Sequence, residues 1–118
     1  MLFRSLARAR RAVREARARL VQKLEAMLAA LDPTERAPDA AVTLREGRYV
    51  IPVRSTARAR IGGIVHDESA TRATVFLEPP EVIELGNALR AAEVEEQREV
   101  LQVLRELKIG RASCRERV

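Results

Sequence analysis

Aromatic residues are nearly missing from this 118-residue chain: it has one tyrosine, two phenylalanines and no tryptophan. With so few ring platforms, base stacking is excluded as a main binding mode, and a thick enzyme-like core is not expected. There is one histidine and one cysteine, Cys114, so neither a disulfide framework nor a thiolate metal site can be built. No run of eighteen apolar residues occurs, and no segment is expected to cross a membrane as a helix. The opening MLFRSLARARRAVREARARL is Arg-rich with a single acid, as an organelle transit peptide would be. Its apolar seam nevertheless runs unbroken to Leu31, which is the mark of a structural helix, and a cytoplasmic location is expected.

What the chain does have is charge, on a third of its residues, and Ala, Arg, Glu and Leu at helical spacing. Its length allows one small domain. The end of the chain, KIGRASCRERV, resembles the translation of a common sequencing adapter, so residues 108–118 are read as a non-native tail and set aside from fold reasoning. Removing Arg111, Arg115 and Arg117 together with Glu116 takes two positive charges from the formal +5, leaving about +3, or about +2 when Lys108 goes as well. Global basicity is then a weak argument for a polyanionic partner. Cys114 leaves with the tail.

Two helical arms are predicted. In the first, within residues 1–31, Leu6, Ala9, Val13, Ala16, Leu20, Leu24, Met27 and Leu31 recur at three and four residues as a narrow stripe. Asp32-Pro33 ends it, and residues 32–41 read as a linker with Pro33 and Pro38 blocking regular structure. The second arm, residues 79–107, opens on Pro79-Pro80 with Glu81 and Glu84 near the positive end of its dipole. Val82, Leu85, Leu89, Ala92, Val100, Val103 and Leu107 form its seam. The first arm carries Arg4, Arg8, Arg10, Arg11, Arg14, Arg17, Arg19 and Lys23 against two acids, while the second carries Glu93, Glu95, Glu96 and Glu99. Opposite charges favour antiparallel packing with paired flanks, so the basic arm is expected to spend its arginines mainly on the acidic helix and on water, with phosphate contacts as the alternative.

Between the arms, residues 42–78 are β-rich. Residues 42–45 and 48–53 flank Glu46-Gly47, the spacing of a tight hairpin, and Pro52 calls for an edge or a bulge. Gly62-Gly63 permits a turn that other residues would strain. Residues 64–66 and 74–77 form a second strand pair, and Phe76, Ile51, Val53, Ile64 and Leu77 are the candidates for a small core. The fold class is therefore α+β: a long antiparallel helical hairpin carrying a small antiparallel β insertion.

His66, Asp67, Glu68 and Ser69 are adjacent and titratable. Neighbours on a strand point to opposite faces, so four of them rarely converge on one atom of a substrate. A loop-ordering hydrogen-bond role is assigned to His66 and Asp67, and no catalytic or metal-binding residue is assigned. Arg45, Arg48, Arg54, Arg58, Arg60 and Arg72 are the candidate nucleic-acid contacts, since guanidinium groups take phosphate oxygens two at a time. Strand-like alternation over residues 54–60 would place Arg58 and Arg60 on one face.

The ordered set GRYVIPVR, GIVHDES followed by ATVFLEP, then EVIEL with Asn87, resembles the MutS-II family of bacterial MutS paralogues over residues 6–107. The resemblance implies a DNA-directed ATPase and endonuclease that suppresses recombination and acts as a homodimer, with ATP and magnesium as cofactors. No Walker A loop occurs in this chain, so by that resemblance the ATPase and nuclease parts lie outside it and the fragment itself holds no cofactor. The fragment corresponds to the lever helices and a clamp-like insertion, with DNA as the expected partner. Ribosomes and ribosomal RNA are a second partner implied by the family, and a purely structural packing or dimerisation arm is a third reading. Two positions depart from the family pattern: Arg72 stands where relatives usually carry glycine, and Gly86 where they carry asparagine. Gly86 is expected to weaken its helix by about 1 kcal/mol against alanine.

Overall fold

The amphipathic stripe of the first arm becomes one uninterrupted helix, α1 (Leu2–Ala29), in the computed structural model, which describes residues 2–117 and the side chains of residues 3–108. Leu6, Ala9, Val13, Leu20, Leu24 and Leu28 are buried along one side of it. Its last carbonyls have no partner within the helix. Arg36, seven residues past the end, supplies one: its Nη2 donates to the Ala29 oxygen at 2.9 Å and to that of Leu31 at 3.3 Å.

The β insertion is a four-stranded antiparallel sheet in the order β1-β2-β4-β3, from β1 (Thr43–Arg45), β2 (Arg48–Arg54), β3 (Ile64–Glu68) and β4 (Thr74–Glu78). Arg45 pairs with Arg48, and the two intervening residues have positive φ, 54° at Glu46 and 75° at Gly47, as a type I′ hairpin requires. Pro52 lies past the end of β1, whose pairing with β2 stops at Val50. Arg54, on the same side of the strand, gives its N–H to the Glu35 oxygen at 2.8 Å, so the missing proline donor faces a gap in the ladder. Between β2 and β3 come a single turn at Ser55–Ala57 and a one-turn helix, α2 (Arg58–Ile61).

Alternation divides the sheet into two faces. Ile51 opposite Leu77 and Val53 opposite Val75 project to one side, where all four are at most 2% exposed against Leu20, Leu24, Leu28 and Leu31. The core candidates Phe76 and Ile64 belong to the other side. Phe76 is half-buried beneath the Arg45 guanidinium, 4.4 Å from the ring centroid, and Ile64 is 46% exposed. The period of two between Val75, Phe76 and Leu77 forces this result, because only two of the three can face the helix.

A turn at Pro80–Val82 leads into α3 (Ile83–Arg117), which returns antiparallel along α1: Arg10 meets Glu96 at 3.7 Å and Arg17 meets Glu93 at 4.0 Å. Val82 and Leu89 join the common core. The molecule measures 70 × 27 × 21 Å, with the sheet at one end of the hairpin. α3 continues into the segment read as a non-native tail, and the side chains of 109–118, Cys114 among them, lie outside those described.

Gly63 holds the turn into β3 at φ 97°, and a Cβ there would collide with the Glu78 carbonyl oxygen and lie 2.9 Å from Pro79 Cα. Both objections are to backbone and cannot be relieved by a rotamer change. Gly63→Ala is therefore expected to destabilise the fold by more than about 1 kcal/mol in a urea melt. An unchanged midpoint would show that this turn is not held as described.

Candidate nucleic-acid interface

The six candidate arginines fall into two groups, and internal acids make the division. Arg48, at the start of β2, lies over the outer face of the sheet, where Nε approaches the Glu78 carboxylate at 3.1 and 3.3 Å and Nη2 closes a second bond to Oε2. The same Nη2 reaches the Ile83 carbonyl at 3.4 Å. Glu78 is only 2% exposed, and a carboxylate so placed needs partners. Its second partner is His66, whose Nε2 stands 2.8 Å from Oε1. The β3–β4 register slips between Val65 and Asp67, leaving His66 as the extra residue of a bulge, and the bulge turns its ring toward Glu78.

Gly86 is buried in the first turns of α3, and the space its side chain would fill is occupied. A Cβ there would come within 2.6 Å of Arg48 Nη2 and 3.0 Å of Glu78 Oε2. The weakened helix turn is thus coupled to the close passage of the Arg48–Glu78 pair over the α3 backbone.

Arg60 is paired nearer the surface. Its Nη2 donates to Glu35 Oε1 at 2.6 Å and its Nε to Oε2, a two-bonded fork that holds the Glu35 carboxyl below the usual carboxylate range and raises Arg60 above its ordinary value. Residues 58–61 form a helical turn, so Arg58 and Arg60 are about 200° apart around it and do not share a face. Arg45 lies on Phe76 and 3.5 Å from Asp67.

Arg54, Arg58 and Arg72 form the other group. Arg54 pairs with Thr74 at the end of the β2–β4 ladder, and the Ser55 N–H donates to the Ala73 oxygen at 2.9 Å, which brings the end of β2 beside the β3–β4 turn that carries Arg72. Arg58 follows one short turn after Arg54. All three are exposed. No ion pair engages Arg54 or Arg58 among the described residues, and Arg72, with its side chain 86% exposed, stands 4.0 Å from Glu68. Arg72 has φ 62°, the left-handed conformation that glycine adopts more readily.

His66, Asp67, Glu68 and Ser69 do not converge. His66 turns to Glu78. Asp67 Oδ1 accepts the Glu68 N–H at 2.8 Å, and Ser69 Oγ accepts the Thr74 N–H at 3.1 Å to close the turn. Among the described residues, no three His, Cys, Asp or Glu side chains gather as a metal-binding group, and no helix is long and apolar enough to cross a membrane. Reading the sequence alone missed Glu78, Glu35 and Arg36. The available signal for Glu78 was an acid directly following the apolar run Val75-Phe76-Leu77; Glu35 and Arg36 sit in an irregular linker and gave none.

No family model matches the chain. Individual proteins do. An endonuclease MutS2 of Gemmatimonas aurantiaca is 48% identical over 103 residues, covering 87% of this chain and 13% of the relative. Endonuclease MutS2 proteins of Geobacillus thermodenitrificans and Halalkalibacterium halodurans are 48% and 45% identical over 80% and 83% of the chain, which is 12% of each. The chain thus spans about an eighth of the length of these relatives.

Two outcomes test the internal pairs. Arg48→Met strands a buried carboxylate with His66 alone and is expected to cost toward the lower end of the roughly 3–5 kcal/mol typical of broken buried pairs, because Arg48 keeps some exposure. A chemical-denaturation loss below about 1 kcal/mol would count against the pair as a structural tie. Glu35, with its folded pKa lowered, should add stability at neutral pH that disappears as pH falls through that lowered value, below the ordinary carboxylate range. A carbon-detected NMR titration should show Glu35 ionised to lower pH than other glutamates, and Arg60→Ala should abolish the difference.

Proposed function

We propose that this chain, a segment belonging to the MutS2 (MutS-II) family, is a non-catalytic grip that holds duplex or branched DNA by its phosphates. The carrying observation is that Arg54 and Arg72, brought near each other where β2 meets the β3–β4 turn, and Arg58, one short turn after Arg54, are exposed without a close acid, whereas Arg48 and Arg60 are paired with Glu78 and Glu35 and Arg45 lies on the Phe76 ring. Guanidinium groups at a turn and a short helix suit backbone contact, which fixes position without reading sequence. Tyr49 is half-buried in the core and so is not free as a stacking platform, which favours backbone contact over base readout.

In this reading the long hairpin is the lever and the sheet the clamp-like tip. ATP and magnesium, hydrolysis and strand cutting belong to parts of the longer protein outside this chain, as does assembly into a homodimer. Ribosomal RNA offers the same phosphate chemistry; duplex DNA is the partner put to the test.

Substituting Arg54, Arg58 and Arg72 by Gln should weaken binding of a 30-base-pair duplex at least tenfold at 100 mM salt, read by fluorescence anisotropy. The slope of log affinity against log salt should fall by about 2.7, the value for three lost phosphate contacts. Unchanged affinity and slope would leave the sheet as a packing element. Preferential displacement of the duplex by ribosomal RNA at equal phosphate concentration would move the partner from DNA to the ribosome.

A further inference from the structure

The arginines of α1 were expected to face the acidic second helix or water, and the structure leaves most of them in water. Among the described residues, only Arg10 and Arg17 reach an acid of α3. At 100° per residue, Arg4, Arg8 and Arg11 fall on the side of α1 opposite the buried Leu6, Ala9, Val13 and Leu20, and Arg14 flanks them. All four are exposed, and no ion pair engages any of them among the described residues.

This row opposes the stability of its own helix. Arg4 and Arg8 are like charges four apart, and Arg8 and Arg11 three apart, which repel along a helix face. The row also begins at the positive end of the dipole, where α1 has no acid in its first turn. Glu15 and Glu25 are the only acids in the whole helix. A local conflict that the fold does not resolve internally fits a surface that meets its counter-charge elsewhere.

We propose that this outer face of α1 is a second phosphate-contact surface, lying along one strand of a nucleic acid duplex. The proposal rests on the reading that the sheet end grips DNA, and it adds a distinct contact on the shaft of the hairpin. From Arg4 to Arg14 the helix rises about 15 Å, and long guanidinium side chains spread over that length can reach several backbone phosphates of a duplex. Arg14 lies fifteen residues, about 22 Å along the helix, before the end of α1, so the shaft surface is separate from the arginines at the sheet end. An anionic membrane fits poorly, because the apolar stripe that would insert is buried against α3 and the sheet.

The test uses the full chain and the same labelled duplex. Substituting Arg4, Arg8, Arg11 and Arg14 by Gln should weaken binding at least tenfold at 100 mM salt and reduce the salt slope by about 3.6, while the thermal midpoint by circular dichroism stays level or rises. The matching Lys variant should retain most of the affinity, which separates charge from a damaged helix. If the Gln variant binds as the wild type does while the Arg54, Arg58 and Arg72 variant loses binding, the shaft surface is overturned and the sheet-end reading stands. If the shaft variant alone loses binding, the shaft proposal holds and the sheet-end assignment fails. A wild-type chain that does not bind duplex overturns both. Displacement of the duplex by polyglutamate as effectively as by unlabelled duplex at equal charge would overturn the nucleic-acid assignment in favour of an acidic protein partner.

Discussion

The Glu78 carboxylate is the point on which the parts of this molecule converge. It is buried at the end of β4, where a lone charge would be costly, and three neighbouring elements are arranged around it. β2 contributes the Arg48 fork, a bulge in β3 contributes His66, and α3 contributes the Ile83 carbonyl together with the missing side chain of Gly86. Immediately after Glu78, Pro79-Pro80 turns the chain into the long return helix. A single buried charge therefore joins the sheet to the base of the hairpin, on the face opposite the Leu-rich core.

The arginines follow a second logic. Arg48 is taken up internally by Glu78, Arg60 is paired with the half-buried Glu35, and Arg10 and Arg17 make longer surface contacts with acids of α3. Arg36 closes the end of α1. Among the arginines left exposed without an acid partner are Arg54 and Arg58 at the sheet end and Arg4, Arg8, Arg11 and Arg14 along the shaft. The charge that faces outward is thus a local property, set by which arginines the fold pairs with an acid.

Much of the architecture was legible from residue order. The stripe from Leu6 to Leu31, the stop at Asp32-Pro33, the two-residue hairpin at Glu46-Gly47 and the Pro79-Pro80 restart all depend on local backbone chemistry, which survives in any context. The candidate site was less legible. Alternation was assumed across residues 54–60, but these fold as two short helical turns, so the expected shared face of Arg58 and Arg60 does not exist. Phe76 and Ile64 were placed in the core because they are large and apolar, whereas sheet parity sends them to the other face.

The amino-acid order by itself determined the elements, their sequence along the chain, the opposite charges of the two arms and the resemblance to one family. Those are matters of local propensity, spacing and identity. Only the tertiary structure decided which charges are free. Glu78 and Arg48 lie thirty residues apart, and Glu35 and Arg60 twenty-five apart, so each pair exists only because the fold closes those loops. An arginine able to hold a phosphate and one committed to a glutamate are the same residue in a sequence; the distance to the nearest acid distinguishes them.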